Sequence, residues 1–111
     1  MSRHDDDRDE RISDFEHAVN MSPAQLEKWL ETDESTSVGQ SENGGESVGH
    51  ASGRRIVELL RSKKADLTDD DIAHMRKVTG YIHRHLGQRP SGDITDTPWR
   101  YSLKNWGHDP L

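Results

Sequence analysis

Nine arginines and lysines fall between Arg54 and Arg89, against five acids, of which Asp69, Asp70 and Asp71 are consecutive. Arginine's planar fork grips phosphate oxygens in pairs, and lysine adds a point charge, so such a density suits an anionic polymer. Arg54, Arg55, Lys63, Lys64, Arg76, Lys77 and Arg84 are the candidate nucleic-acid contacts. The plainer alternative is a solvated helix surface laced with ion pairs, which describes most charged helical faces.

Other chemistry finds little support. His83 and His85, two apart, point about 200° away from each other on a helix and cannot chelate one ion. His74 and His85 lie about 16 Å apart along one face. The chain has no cysteine, which removes disulfides, thiolate metal sites and thiol nucleophiles together. The doublet His108-Asp109 has no nucleophile in a recognisable motif near it. "SGRR" and "NGG" lack the spacing of a phosphate-cradling loop. The expectation is a binding protein rather than an enzyme, with no cofactor and no metal site.

Four helices must position these cations. The first carries Ile12, Phe15 and Val19 at three- and four-residue spacing and ends near Asn20. The second opens on "MSPAQL", where Ser22 caps, Pro23 takes the first helical position and Gln25 closes a capping box. Met21 staples onto Leu26, and Leu26, Trp29 and Leu30 form its buried stripe. The third runs from about Ser52 to Lys63 with Ile56, Leu59 and Leu60 inward. The fourth starts at a Thr68/Asp71 capping box, stapled by Leu67 to Ile72. Its stripe is Ile72, Met75, Val78, Ile82 and Leu86, and Gly87 and Pro90 end it. Only Lys64–Leu67 separates the last two, so they form a hairpin or a helix-turn-helix crossing.

The fold class is therefore all-α, a small four-helix domain. About a dozen apolar side chains are few for a self-sufficient core. Half of the six aromatic residues lie in the closing "WRYSLKNWGHDPL". Trp99, Tyr101 and Trp106 are expected to pack back as the missing layer, leaving Arg100, Lys104 and His108 outside. The alternative is that they form an exposed motif for a protein partner, or stack on bases.

Charge divides the 111 residues unevenly. Residues 1–47 carry thirteen acids and four bases, whereas 48–111 carry eight acids and eleven bases, within a net charge of −6. Hydrophobic residues make up 29% and charged ones 32%, so part of the chain is expected to stay unpacked. Residues 1–11 read as an acidic disordered arm and 12–111 as one helical domain with a flexible loop at 33–48. No run is apolar enough for a membrane span, and the acidic start is unlike a signal peptide, which points to the cytoplasm.

Three segments carry a family resemblance: "NMSPAQLEKWL", "SGRRIVELLRSKKADLTDDDIAHMRKVTGYIHRHLGQRP" and "DTPWRYSLKNWGHDPL". Together they resemble an uncharacterised bacterial and fungal family, domain of unknown function 3140, across nearly the whole chain beyond the acidic start. Its signature positions include Arg54, Arg55, Lys64, His74, Arg76, Lys77, His83, Arg84, His85, Trp99, Arg100, Tyr101, Asn105, Trp106, Gly107 and His108. Tyr is common in the family where this chain has Ile72. Members are often labelled DNA-binding, so the resemblance implies a small helical DNA-associated protein gripping phosphates through its third and fourth helices. The competing reading is a protein-interaction module using the helical surface or the aromatic tail. If the acidic arm competes with DNA for the basic face, deleting residues 1–11 tightens binding.

Overall fold

In a computed structural model, residues 3–38 and 47–111 are described, with side chains from Asp7 onward in the first helix. These residues form six α-helices and no strand: α1 (Arg3–Ala18), α2 (Pro23–Leu30), α3 (Asp33–Ser37), α4 (Val48–Arg61), α5 (Asp69–Leu86) and α6 (Pro98–Asn105). The all-α expectation holds, with two helices more than the apolar periodicity indicates.

Local rules explain the starts of α2 and α5. Ser22 Oγ accepts from the Gln25 amide while Gln25 Oε1 accepts from the Ser22 amide. Thr68 and Asp71 exchange the same pair of bonds. Each box satisfies two backbone donors that a bare helix start would leave open.

Four boundaries differ from the sequence expectation. Helix α1 starts at Arg3, nine residues before Ile12, so the segment expected to be an unpacked arm is helical there. Its Arg8 guanidinium donates to the carbonyls of Lys64 and Leu67, at 2.9 and 2.8 Å, fastening α1 to the α4–α5 connection. Helix α3 occupies the start of the expected loop at 33–48, with Thr32 as its cap and Ser35 buried; residues 39–46 of that loop lie outside the described residues. Helix α4 begins at Val48 rather than near Ser52, because Ser47 accepts from the His50 amide and caps it. The expected tail is helical from Pro98, capped by Thr97.

The hydrophobic core runs through all of the longer helices. Helix α1 lays Ile12 and Phe15 against α5, and α2 packs on α4 through Leu26, Trp29 and Leu30. Helix α6 contacts α2, α3, α4 and α5 and closes the centre with Trp99, Leu103 and Trp106. Ile94 in the preceding connection is also buried.

The wedging of α6 rests on aromatic and polar contacts together. Trp106, Tyr81, His85 and Trp99 form a column of four near-parallel rings, with successive centroids 4.2, 5.2 and 5.8 Å apart. Tyr81 and His85 are one helical turn apart on α5, and the two tryptophans of the C-terminal segment cover the ends. Trp99 Nε1 donates to the His85 carbonyl at 2.8 Å, and His85 Nε2 donates back to the Trp99 carbonyl at 3.2 Å. Asn105, 1% exposed, accepts from Trp29 Nε1 and Ser35 Oγ and donates to the Ser35 carbonyl, which joins α2, α3 and α6. After α6, Gly107 adopts φ +87°, and its carbonyl accepts from the Asn20 and Met21 amides.

Arg100, Lys104 and His108, expected outside as free basic surface, are instead half-buried and engaged. Arg100 forks onto Asp109, Lys104 Nζ sits 3.9 Å from the Trp29 ring centre, and His108 Nδ1 donates to the Ala18 carbonyl. Their polar atoms lie beside internal partners because the segment folds inward.

Candidate nucleic-acid interface

Eighteen residues make α5 about 27 Å long. Its first turn carries Asp69, Asp70 and Asp71, where the helix dipole favours negative charge. No Asp or Glu then occurs until Asp93. Ile72, Met75, Val78 and Ile82 face the core, which leaves Ala73, Arg76, Lys77, Gly80, His83 and Arg84 on the outer arc. Arg76, Lys77, His83 and Arg84 are all exposed. Among the described residues no carboxylate pairs with Arg76, Lys77 or Arg84; the Arg84 guanidinium only touches the Gly80 carbonyl of its own helix, at 3.3 Å. At Gly80 a Cβ would meet nothing within 4 Å, so the helix surface is open between Lys77 and Arg84.

The seven candidate contacts do not form one face. Arg76, Lys77 and Arg84 share the outer arc of α5. Arg55 joins them from α4, lining with Lys77 and His74 a crevice of about 430 Å³ between the two helices. The helices run antiparallel there, bridged by a 3.1 Å hydrogen bond between Ser52 and His74 and by the Arg55–Asp71 ion pair at 3.3 Å. Lys63 and Lys64 lie exposed in the connection beyond the end of α4. Arg54 projects to the other side of α4, into a hollow shared with Glu27, Glu31, Glu58 and Arg61, where Arg61 pairs with Glu27 at 2.7 Å. Neighbours in sequence on a helix diverge by about 100°, and that separates Arg54 from Arg55. The crevice itself was not visible in the sequence, because it depends on the crossing of α4 over α5.

Electrostatics marks the crevice as cationic. Burial pushes the His74 imidazole below its ordinary value, and the charges of Arg55 and Lys77 push it further, against an opposing pull from Asp71. Burial likewise lowers His85, with the Trp99 carbonyl opposing. Asp71 is held below the carboxylate range by the Thr68 amide, with Arg55 assisting.

The aromatic candidates are placed inside: Trp99 is 8% and Trp106 5% exposed, and Tyr101 is half-buried with its ring 5.6 Å from that of Trp29. Among the described residues no three His, Asp or Glu side chains converge on a site that could hold a metal ion. No helix in them is long and apolar enough to cross a membrane.

Comparison with known proteins adds one assignment. Searches against curated proteins and against solved structures return no match. Residues 14–104 match the family described as "Protein of unknown function (DUF3140)", and the chain belongs to that family.

Proposed function

Starting from membership of a family whose description names no activity, we propose that this protein is a DNA-associated protein. In this reading it works in the cytoplasm by binding, without turning over a substrate, and α5 is the element that meets the duplex. The observation that carries the reading is the outer arc of α5, where Arg76, Lys77 and Arg84 stand exposed with no carboxylate between Asp71 and Asp93. A solvated structural helix ordinarily intersperses charges of both signs; a strip of one sign is the electrostatic footprint of phosphate binding. A major groove about 12 Å wide admits one α-helix, and the opening at Gly80 lets backbone approach phosphate or base edge closely. Arg55 and the exposed Lys63 and Lys64 extend the contact, whereas Arg54 sits among carboxylates and contributes least. Trp99 and Trp106 are core, so a protein partner could take the C-terminal segment only by opening the fold.

The test is a fluorescence-anisotropy titration of a labelled duplex across a salt series. Binding should weaken linearly in log–log terms, by about 0.9 per phosphate contact. Replacing Arg76, Lys77 and Arg84 together by Gln should lower that slope by about 3 while far-UV circular dichroism stays unchanged. Because Arg8 fastens α1 to the α4–α5 connection, removal of residues 1–11 would disturb the fold. The variant Asp7→Asn/Asp9→Asn/Glu10→Gln is therefore the cleaner probe of acidic competition, and it should tighten binding. No binding at low salt, or binding unaffected by the triple Gln variant, overturns the reading.

A further inference from the structure

The crevice between α4 and α5 has features that α5's exposed arc does not share. It is a concavity of about 430 Å³, within the range of small-ligand sites, rather than a convex helix surface. Two fixed cations from different helices, Arg55 and Lys77, line it with His74, Ser52 and Trp106. Arg55 spends one of its five N–H donors on Asp71 at 3.3 Å and keeps 41% of its side chain exposed. Lys77 is exposed and makes no ion pair among the described residues. Val48, on the rim, is 57% exposed, one of only two large hydrophobic side chains so open among the described residues. Two solvent-accessible cations lining a crevice that also carries an exposed valine suit a small ligand that is anionic at one end and apolar at the other.

We propose that this crevice binds a phosphate group, with Arg55 and Lys77 as its charged contacts, His74 and Ser52 on its wall and Val48 against the organic part of the ester. This goes beyond the DNA reading, because a recess of this size takes a single phosphate ester whether or not α5 meets a duplex. The phosphate has two sources, a free mononucleotide or the backbone of a nucleic acid, and both present the same oxygens. Asp71 opposes these charges, and its carboxylate already accepts from the Thr68 amide and from Arg55.

His74 reports occupancy directly. The charges of Arg55 and Lys77 disfavour its protonated form, and a bound phosphate dianion would offset them. The experiment follows the imidazole proton resonances of the full chain against pH, in chloride buffer and in phosphate at matched ionic strength. The His74 midpoint should rise by about one pH unit in phosphate. His85, stacked between Tyr81 and Trp99 and outside the crevice, serves as the internal reference and should stay in place. Arg55→Gln and, separately, Lys77→Gln should each weaken the response about tenfold in phosphate concentration; Lys77 makes no ion pair among the described residues, so that variant keeps the test valid if Arg55→Gln loosens the contact of α4 with α5.

Adenosine monophosphate, adenosine and a short duplex then separate the sources. A response to the monophosphate at lower concentration than to phosphate, with none to adenosine, assigns a free nucleotide; a response to the duplex alone beyond that to phosphate assigns the backbone. An unmoved His74 in every arm, or equal movement of His74 and His85, overturns the proposal. Arg76→Gln/Arg84→Gln weakens duplex binding by α5 and leaves the His74 response to phosphate intact, so failure of the crevice and failure of the DNA reading give different results.

Discussion

At the scale of single residues, Asn105 joins three helices through one buried carboxamide. Its carboxamide satisfies Trp29 Nε1 at 2.8 Å and the hydroxyl and carbonyl of Ser35, in a site that is 1% exposed. Asn105→Ala leaves two buried donors and one buried carbonyl without partners. It should cost about 3 kcal/mol, read as a lower urea midpoint at unchanged slope. A loss below half of that would mean water replaces the amide and the network is not specific. Periodicity and composition carry no signal for this group; only its place among the family's signature positions marks it. Ser35 stood in a Ser- and acid-rich stretch that reads as linker, and its partner lies seventy positions away. Periodicity reports which residues face inward on one element, and it is silent on polar pairs formed across three elements. The cationic candidates were legible for the opposite reason, since exposure and charge are properties of one helix. Only the direction in which Arg54 and Arg55 part required the neighbouring helices.

At the scale of elements, capping chemistry was the most readable signal and composition the most misleading. The boxes at Ser22 and Thr68 announced α2 and α5 to the residue. "DTPWRY" contains a cap-then-proline start like that of α2, and the eight residues from Pro98 to Asn105 are helical although the segment's aromatic stripe is too short to show a period. Glycines set the start of α4 apart too. Gly49 and Gly53 weaken helix propensity, and the start expected near Ser52 falls between them. The structure explains Gly53: a Cβ there would stand 2.5 Å from the Asn105 carbonyl oxygen and 2.7 Å from Leu30, so α4 and α6 could not close. Gly80 has the opposite setting, with open space around it. The two therefore respond to alanine with opposite signs. Gly80→Ala should stabilise by about 1 kcal/mol through helix propensity. Gly53→Ala should destabilise by about 2 kcal/mol despite the same propensity gain, because backbone on one side cannot yield. Thermal unfolding of the two variants decides it, and two shifts of the same sign would contradict this packing.

At the scale of the whole molecule, the buried imidazoles and the paired carboxylates tie stability to pH. His74 and His85 are held below the ordinary imidazole value of 6.5, chiefly by burial. The unfolded chain therefore takes up their protons first as pH falls, and the folded state loses stability from about 6.5 downward until its own imidazoles protonate. For Asp109, burial works against ionisation, but Arg100 and the Leu111 amide outweigh it and keep the carboxyl below 3.8. Its contribution is complete above 3.8 and disappears as pH falls through the lower folded value. Melting temperature should thus be level near neutrality, decline on crossing 6.5, and decline again below 4. A melting temperature that holds or rises between pH 7 and pH 5.5 would sink the assignment of buried, neutral His74 and His85.

Helix α6 and the segment after it also govern what happens while the chain is being made. Asn20 exchanges hydrogen bonds with Asp109, His108 reaches Ala18, and Gly107 receives the amides of Asn20 and Met21. Every one of these joins an early residue to one synthesised almost ninety positions later. Until then the early helices lack the C-terminal segment that ties them to the centre, and the loop that must close is nearly the full chain. A chain that ends before Trp99 lacks the rings and the Asn105 amide that close the centre, so it should stay partly unfolded. Only a chain that extends through Asp109 closes this centre, so the stretch made after α5 decides whether the early helices stay folded.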